Sequence, residues 1–483
     1  MTKSRETFRF RPWLKLAAIA VFAFVAGGST RDHTANTISA VRTATALHDR
    51  LVRSEPAQGD TLDVVPTTLR LTFSRAVTLD AARVSLAGPG GAVELRTLAL
   101  EPDSPAIVLA AITGRVTAGQ HQVVWQILGE DGHPVHGEFT FVIAPDAAGL
   151  APTDEPAPPA PAPAAGAAAS AIPTFGPESP LYVAVRWLWF ASLIGVLGVV
   201  TFRLAVLGRA ARSDATLAGV VPAAAALAAK LGVAFAAVAL AAAVLRLFAQ
   251  QSAAGVEASV LLGATTWGRG WILHVLAATA ALAGLWIART DRRPGWLLAV
   301  PATVALAFAP ALSGHAVATD PVALSVVADA LHVIGAGGWL GTLMLILFAG
   351  IPIAFRAGEH RDRIVAGMVR AFSPLALVFA GILAATGVFS AWQHVGSWGA
   401  LFGSDYGQAL LLKLGALVLV LTLGAYNFLR LKPHLPNEAI TRRLRRSAGL
   451  ELAMAALVIL LTAILVATPT PTENEPVAHV TTP

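Results

Sequence analysis

The chain has 483 residues, of which 55% are hydrophobic and 13% charged, with a formal net charge of +6 and no cysteine. A soluble globular chain carries about 25% charged residues, so the composition excludes a purely soluble protein and indicates that lipid surrounds much of the chain. The lack of cysteine excludes disulfides, thiolate metal sites and cysteine nucleophiles, and it leaves His, Asp, Glu and Met as metal ligands.

The N-terminal region, residues 1–46, is typical of an export signal or an N-terminal anchor. Five basic residues precede an apolar run, residues 16–25, that is short for a membrane span. Small residues follow at Ala26 to Gly28, and an A-x-A pattern occurs at Ala44 to Ala46. Cleavage at either place, or none, is compatible with the sequence.

Residues 47–145 predict a small all-β sandwich or barrel. Apolar residues alternate with polar ones, as at Leu69, Leu71 and Phe73, and the turn pairs Pro89-Gly90 and Asp131-Gly132 interrupt the pattern. Residues 146–180 are rich in Pro and Ala. Such a segment behaves as an extended spacer, so we expect it to tether the β domain outside the membrane without docking it rigidly.

Residues 181–468 predict a polytopic α-helical membrane domain. About eight apolar runs are long enough to span a bilayer; they centre near residues 193, 236, 280, 304, 337, 382, 420 and 458. Arginine and lysine concentrate in every second loop rather than in one patch, which is the positive-inside pattern and argues against a nucleic-acid partner. The pattern places the β domain, the linker and a tail of residues 469–483 outside a bacterial plasma membrane.

A candidate metal site lies in the turn that contains Asp131, Gly132 and His133. A carboxylate and an imidazole held on a rigid turn make half of a tetragonal Cu(II) site, and a histidine from the start of the domain would complete it. The alternative is an ordinary Asp-Gly hairpin turn followed by a surface histidine. His121 and His136 are spare imidazoles that we expect to be solvated strand residues.

Two stretches of the β domain resemble the CopC family of periplasmic copper-binding proteins. The matching residues are His48, Leu51, Ser54, Pro56, Trp125, Asp131, Gly132, His133, Pro134, Val135 and Gly137. The resemblance implies an Ig-like β sandwich in which His48, Asp131 and His133 bind Cu(II), with a free N-terminal amine assisting if cleavage places it next to His48. The β domain has no methionine, and Cu(I) prefers thioether ligands, which also favours Cu(II).

The membrane half carries ionisable residues at positions that are functional candidates by default. His274, His315, His332 and His394 fall in its outer half on the predicted topology. Asp329 and His332 are three residues apart, share a helical face and should point into the bundle. They form, with His315 and His274, a candidate copper path; the alternative is a structural Asp–His pair.

The same half resembles the CopD family, whose members accompany CopC. The motifs that carry the resemblance are Ser313 to Ala316, Leu331 to Gly341, Arg370 to Pro374, Thr386-Gly387, Tyr406-Gly407 with Leu411 and Lys413, and Glu451. Together the two halves resemble a CopC–CopD fusion, which implies copper handling at the inner membrane.

The leading hypothesis is therefore a copper-binding membrane protein that captures Cu(II) outside and delivers it for import. One alternative is copper sequestration or sensing without transport, and another is a haem-dependent redox protein with axial histidines drawn from His274, His315 and His332. The chain has no Walker-type loop and no nucleophile constellation, so we expect no enzyme. The expected partners are copper and the lipid bilayer.

Overall fold

The computed structural model describes residues 50–129, 132, 134–150, 179–290, 292–318, 321–395 and 397–468. The described residues between 50 and 150 form nine strands, and those between 179 and 468 form the helices. The strands are β1 Leu51–Glu55, β2 Thr61–Val64, β3 Thr68–Phe73, β4 Arg83–Gly88, β5 Gly91–Val93, β6 Ala99–Glu101, β7 Ser104–Ala111, β8 Gly119–Leu128 and β9 Pro134–Ala148.

The strands form a β sandwich, as the sequence predicts. One sheet has the order β1-β3-β7-β6 and the other the order β2-β9-β8-β4-β5. Leu69, Leu71 and Phe73 are buried between the sheets while their neighbours face outward, so the period of two in the sequence reports the buried face. Pro89 and Gly90 form the two-residue turn between β4 and β5.

His121 differs from its expected solvated state. It is fully buried in β8, stacked on Phe141 at 5.4 Å between ring centroids, and its Nδ1 donates to the Gly119 carbonyl at 3.0 Å. Burial lowers the pKa of the His121 imidazole, and the bond to Gly119 opposes that shift. His136, in contrast, is exposed on β9.

Within the described residues, eight helices are long and apolar enough to cross a membrane. They are α1 Pro180–Ser213, α2 Ala215–Ala254, α4 Thr266–Ala288, α5 Arg293–Leu312, α6 Val322–Phe355, α7 Gly358–Val395, α9 Asp405–His434 and α10 Glu438–Leu465. Two short helices, α3 Ala258–Ala264 and α8 Trp398–Gly403, lie between them. Each of the eight apolar runs in the sequence corresponds to one of the long helices, so the predicted helical membrane domain is confirmed.

Side-chain caps fix where several helices begin. Ser179, Asp214 and Thr265 each accept a hydrogen bond from a backbone N–H in the first turn of α1, α2 and α4. The N–H of Thr216 holds the pKa of the Asp214 carboxyl below its ordinary value, and the adjacent Arg363 guanidinium, at 2.6 Å, adds to that effect.

Glycines allow α1 and α6 to cross in direct backbone contact. A Cβ at Gly198 would overlap the backbone of Gly341, and a Cβ at Gly341 would overlap the carbonyl of Ile194. The small residues around Gly337 in α6 therefore do what their composition predicts, which is to permit close helix packing. The five residues Gly337–Gly341 form a wider π-helical turn.

Candidate metal sites

Two stretches of the β domain predict a copper site. The start of β1, in the first stretch, and the turn after β8, in the second, lie at the same end of the sandwich. Arg50, two residues after His48, exchanges hydrogen bonds with Ser74 at 3.1 and 2.9 Å. Ser74 follows Phe73 at the end of β3, and the Phe73 ring meets the Trp125 ring edge-on at 5.2 Å. Trp125 lies near the end of β8, so the start of β1 and the turn after β8 share this end.

The turn after β8 is built around Gly132. Its N–H donates to the Gly129 carbonyl at 2.9 Å, and its φ of +80° lies in the left-handed region that favours glycine. Asp131 and His133 flank Gly132 in sequence, but both, like His48, lie outside the described residues. Their role as Cu(II) ligands stays a prediction. The residues that the structure describes contain no group of three or more His, Asp or Glu able to hold a metal ion.

Gly132 is also one of the points where the β domain meets the membrane helices. Its carbonyl accepts a hydrogen bond of 2.6 Å from the Gln250 Nε2 of α2. A Cβ at Gly132 would lie 2.7 Å from the Cβ of Trp267. Only a glycine therefore allows the turn to approach α4 so closely.

Further contacts hold the same end of the sandwich on the loop between α2 and α4. Arg83 donates to the Gly255 carbonyl at 2.8 Å, and Gln126 donates to the Ala254 carbonyl at 3.3 Å. An apolar cluster covers the contact; it comprises Ala81, Leu128, Ala254, Leu261 and Trp267. The expectation that the linker leaves the β domain undocked is therefore wrong, because linker composition does not report how the two folded surfaces match.

A buried aromatic and basic cluster lies one helical turn below Gln250. Arg246 is 5% exposed, and its guanidinium lies over the Trp189 ring at 3.6 Å and donates to Ser313 Oγ at 3.2 Å. His274 is fully buried beside it; Trp189 donates to His274 Nδ1 at 3.4 Å, and His274 Nε2 donates to the Ala239 carbonyl at 3.1 Å. Both nitrogens of His274 are thus engaged in helix packing, and neither is open to a metal ion.

The second candidate site lies between α6, α7 and α9. Asp329 and His332 are half-buried on one face of α6. Thr386 Oγ1, at 2.9 Å from His332 Nδ1, donates its own hydrogen to the Ile382 carbonyl at 2.7 Å. The hydroxyl can therefore only accept from the histidine, so Nδ1 carries the proton and the lone pair of Nε2 is available as a metal ligand.

A lysine shares this groove. Lys413 of α9 is half-buried and close enough to interact electrostatically with both Asp329 and His332. In the sequence Lys413 is only one residue of the CopD-like pattern, and nothing in the spacing predicts that it faces α6. The helical period of α6 predicts that Asp329 and His332 share a face. No local pattern predicts that Lys413 of α9 lies near them.

The two remaining membrane histidines lie at the end of the bundle that faces the β domain. His315 begins the short 3-10 helix His315–Ala318 between α5 and α6, but its side chain lies outside the description. His394 bonds the Ser390 carbonyl of its own helix at 2.8 Å, near Trp392 and Trp398, which are 74% and 81% exposed. Exposed tryptophans at a helix end are typical of a membrane interface.

Three segments of the chain match known families. Residues 51–144 match the family described as CopC domain, residues 177–324 match Copper resistance protein D-like, N-terminal domain, and residues 366–465 match Copper resistance protein D. The chain is a CopC–CopD fusion. It is 24% identical over 448 residues to the copper transport protein CutJ of Bacillus subtilis (strain 168), covering 89% of this chain and 75% of that protein.

Two solved structures are similar to one part of the chain. PcoC, a copper resistance protein from Escherichia coli, is 22% identical and matches 20% of this chain and 98% of its own, with a TM-score of 0.18. CopC from Methylosinus trichosporium OB3b is 23% identical and matches 20% of this chain and 94% of its own, with a TM-score of 0.19.

The family matches agree with the division seen in the structure. The CopC match lies within the nine-stranded sandwich, and the two CopD-type matches, residues 177–324 and 366–465, overlap the described segment that contains the eight long helices. The CopC–CopD fusion is accordingly a multi-pass, copper-binding membrane protein of copper uptake or resistance.

Proposed function

We propose that this CopC–CopD fusion captures Cu(II) on the outer side of a bacterial plasma membrane and delivers it into the membrane for import. In this proposal His48, Asp131 and His133 bind the ion, and His315, Asp329 and His332 receive it. Copper is the cargo, and its movement makes or breaks no covalent bond, so the proposal includes no catalytic step.

The observation that carries the proposal is the docked turn. Gly132, between two of the candidate ligands, is bonded to Gln250 of the membrane domain at 2.6 Å. A domain that stores or senses copper does not require contact between its metal-binding end and the helices. A domain that transfers its ion to the helices requires that contact. Docking also raises the effective concentration of the ion at the receiving site far above its value in solution.

The receiving site is supported by the chemistry of His332. A neutral histidine whose Nδ1 donates to a neighbouring group offers Nε2 to a metal, and an imidazole suits copper in either common oxidation state. Asp329, one turn away on the same face, adds an oxygen donor. His274 is left out of the proposed route because both of its nitrogens are occupied.

The test is the copper content of spheroplasts from copper-limited cells that make the intact protein. We compare it with an Asp131→Ala/His133→Ala variant and with His332→Ala, each at equal protein abundance. His136→Ala is the matched control for the β domain because His136 is exposed on the neighbouring strand, and His394→Ala is the control for the membrane half.

Import predicts that the intact protein and both controls raise spheroplast copper and that the two site variants do not. If copper rises only in the surface-bound fraction, the protein sequesters or senses copper and the import proposal is refuted. Normal accumulation by His332→Ala refutes the proposed route through α6 while leaving capture by the β domain in place.

A further inference from the structure

A cavity of about 510 Å³ lies between α6, α7, α9 and α10, in the half of the bundle near the basic loops. Its walls are mostly apolar. The polar side chains that the structure describes along it are Trp339, Ser373, Asn427, Arg445 and Glu451. Neither the proposed capture site nor the proposed receiving site uses this cavity.

Glu451 is the carboxyl group of the cavity, and it is only 3% exposed. Asn427 Nδ2 donates to its Oε2 at 2.8 Å, and the Trp339 ring lies beside the carboxyl, since a Cβ at Gly424 would meet both Glu451 Oε1 and Trp339 within 4 Å. The described ion pairs of α10 lie at its basic end, where Glu438 pairs with Arg361 and Arg442. Within the described part of the chain, none reaches Glu451.

A second buried oxygen next to Glu451 lacks a partner. Asn427 Oδ1 is shielded from solvent and accepts no hydrogen bond from the described residues. A carboxylate charge and an orphaned carbonyl oxygen in apolar surroundings are both costly. A proton on the free oxygen of Glu451 would neutralise the carboxylate and supply a donor for Asn427 Oδ1. A sodium ion bound by Glu451 and Asn427 Oδ1 would likewise neutralise the charge and satisfy the orphaned oxygen.

We propose that Glu451 and Asn427 form a second cation site, separate from the copper sites, that binds a hard monovalent cation, H⁺ or Na⁺. Oxygen donors suit hard cations. The described cavity lining contains no histidine or methionine, so the soft or borderline ligands that retain copper are missing. Arg445 is the only other charged side chain in that lining.

The position of the site gives it a role in the proposed import. Trp339 follows His332 by seven residues on the same face of α6, which is two helical turns or about 10 Å. Trp339 and Glu451 line the same cavity side by side, so the occupied or empty state of the cation site is sensed by the helix that carries the copper-receiving histidine. The coupling of the cation site to copper import rests on the proposed function, whereas the binding of the cation does not.

The first experiment measures binding without copper. Infrared difference spectra of the purified full-length protein in liposomes are recorded between two pH values, and between sodium-free and sodium-containing buffer, for the native protein and Glu451→Gln. A protonated-carboxyl band that changes with pH only in the native protein supports a proton site. A carboxyl change with Na⁺ only in the native protein supports a sodium site. Superimposable difference spectra from both proteins overturn the proposal.

The second experiment measures how the cation site affects copper uptake. It includes two matched glycine variants on one helix. A Cβ at Gly424 would lie 3.3 Å from Glu451 Oε1, whereas a Cβ at Gly415 on the same helix meets open space. We expect Glu451→Gln and Gly424→Ala to lower copper uptake into liposomes about fivefold or more and to remove its dependence on pH or Na⁺. Gly415→Ala should behave as the native protein.

The two experiments separate the two proposals. Absence of copper uptake by the native protein refutes import but leaves the infrared result to decide the cation site. Uptake that keeps its full rate and its pH and Na⁺ dependence in Glu451→Gln overturns the coupling.

Discussion

The contact between Gln250 and Gly132 gives a quantitative prediction for docking. Gln250→Ala removes the hydrogen bond of 2.6 Å and leaves the Gly132 carbonyl without its partner in the docked state. An unsatisfied buried acceptor costs about 1–3 kcal/mol, so the ratio of docked to undocked β domain should fall about 5- to 150-fold. The contacts of Arg83 and Gln126 remain, and docking is therefore weakened rather than abolished.

The chain has no native cysteine, so two introduced ones can carry spin labels without background. Labels at Thr97→Cys in the β domain and Glu257→Cys beside α3 report one narrow distance if the domain is docked. We expect Gln250→Ala to broaden that distribution and Gln251→Ala, on the next residue of α2, to leave it unchanged. An unchanged distribution in Gln250→Ala would show that this bond does not hold the domain.

Three further predictions concern stability. Leu71→Ala should lower the free energy of unfolding of the β domain by about 2–5 kcal/mol, measured by hydrogen exchange of its strand amides; a loss below that range would mean that Leu71 is not fully packed. Since burial lowers the pKa of His121, the folded domain resists protonation. Its stability should hold above the ordinary histidine pKa of about 6.5 and fall as the pH drops below it, with the slope lost in His121→Asn. Gly198→Ala should prevent recovery of monodisperse protein because its Cβ overlaps Gly341, while Gly219→Ala, which meets open space, should be recovered normally.

Local patterns were sufficient to predict the two halves of the fold. The buried face of β3 and the eight spans follow from periodicity and length, because each is a property of consecutive residues. The docked interface could not be predicted in this way. Gln126 and Ala254 are 128 residues apart, and Arg83 and Gly255 are 172 apart, so their contact depends on two complete folded surfaces.

The candidate sites show the same limit. The spacing of Asp329 and His332 predicts their shared face, but the proton position on His332 depends on Thr386, 54 residues away. His121 was expected in solvent because a single histidine in an alternating strand gives no sign of which face closes over it. The roles of His48, Asp131 and His133 stay predictions from the resemblance to CopC.

The buried Arg246 has a consequence for the permeability of the bundle. Its guanidinium, always charged, is packed over Trp189 one turn beneath the docked turn. A fixed positive charge in apolar surroundings opposes any cation that moves straight inward between α1, α2 and α4. The arginine stacked on Trp189 therefore makes the path between α1, α2 and α4 unfavourable for a cation, directly beneath the contact between the β domain and the helices.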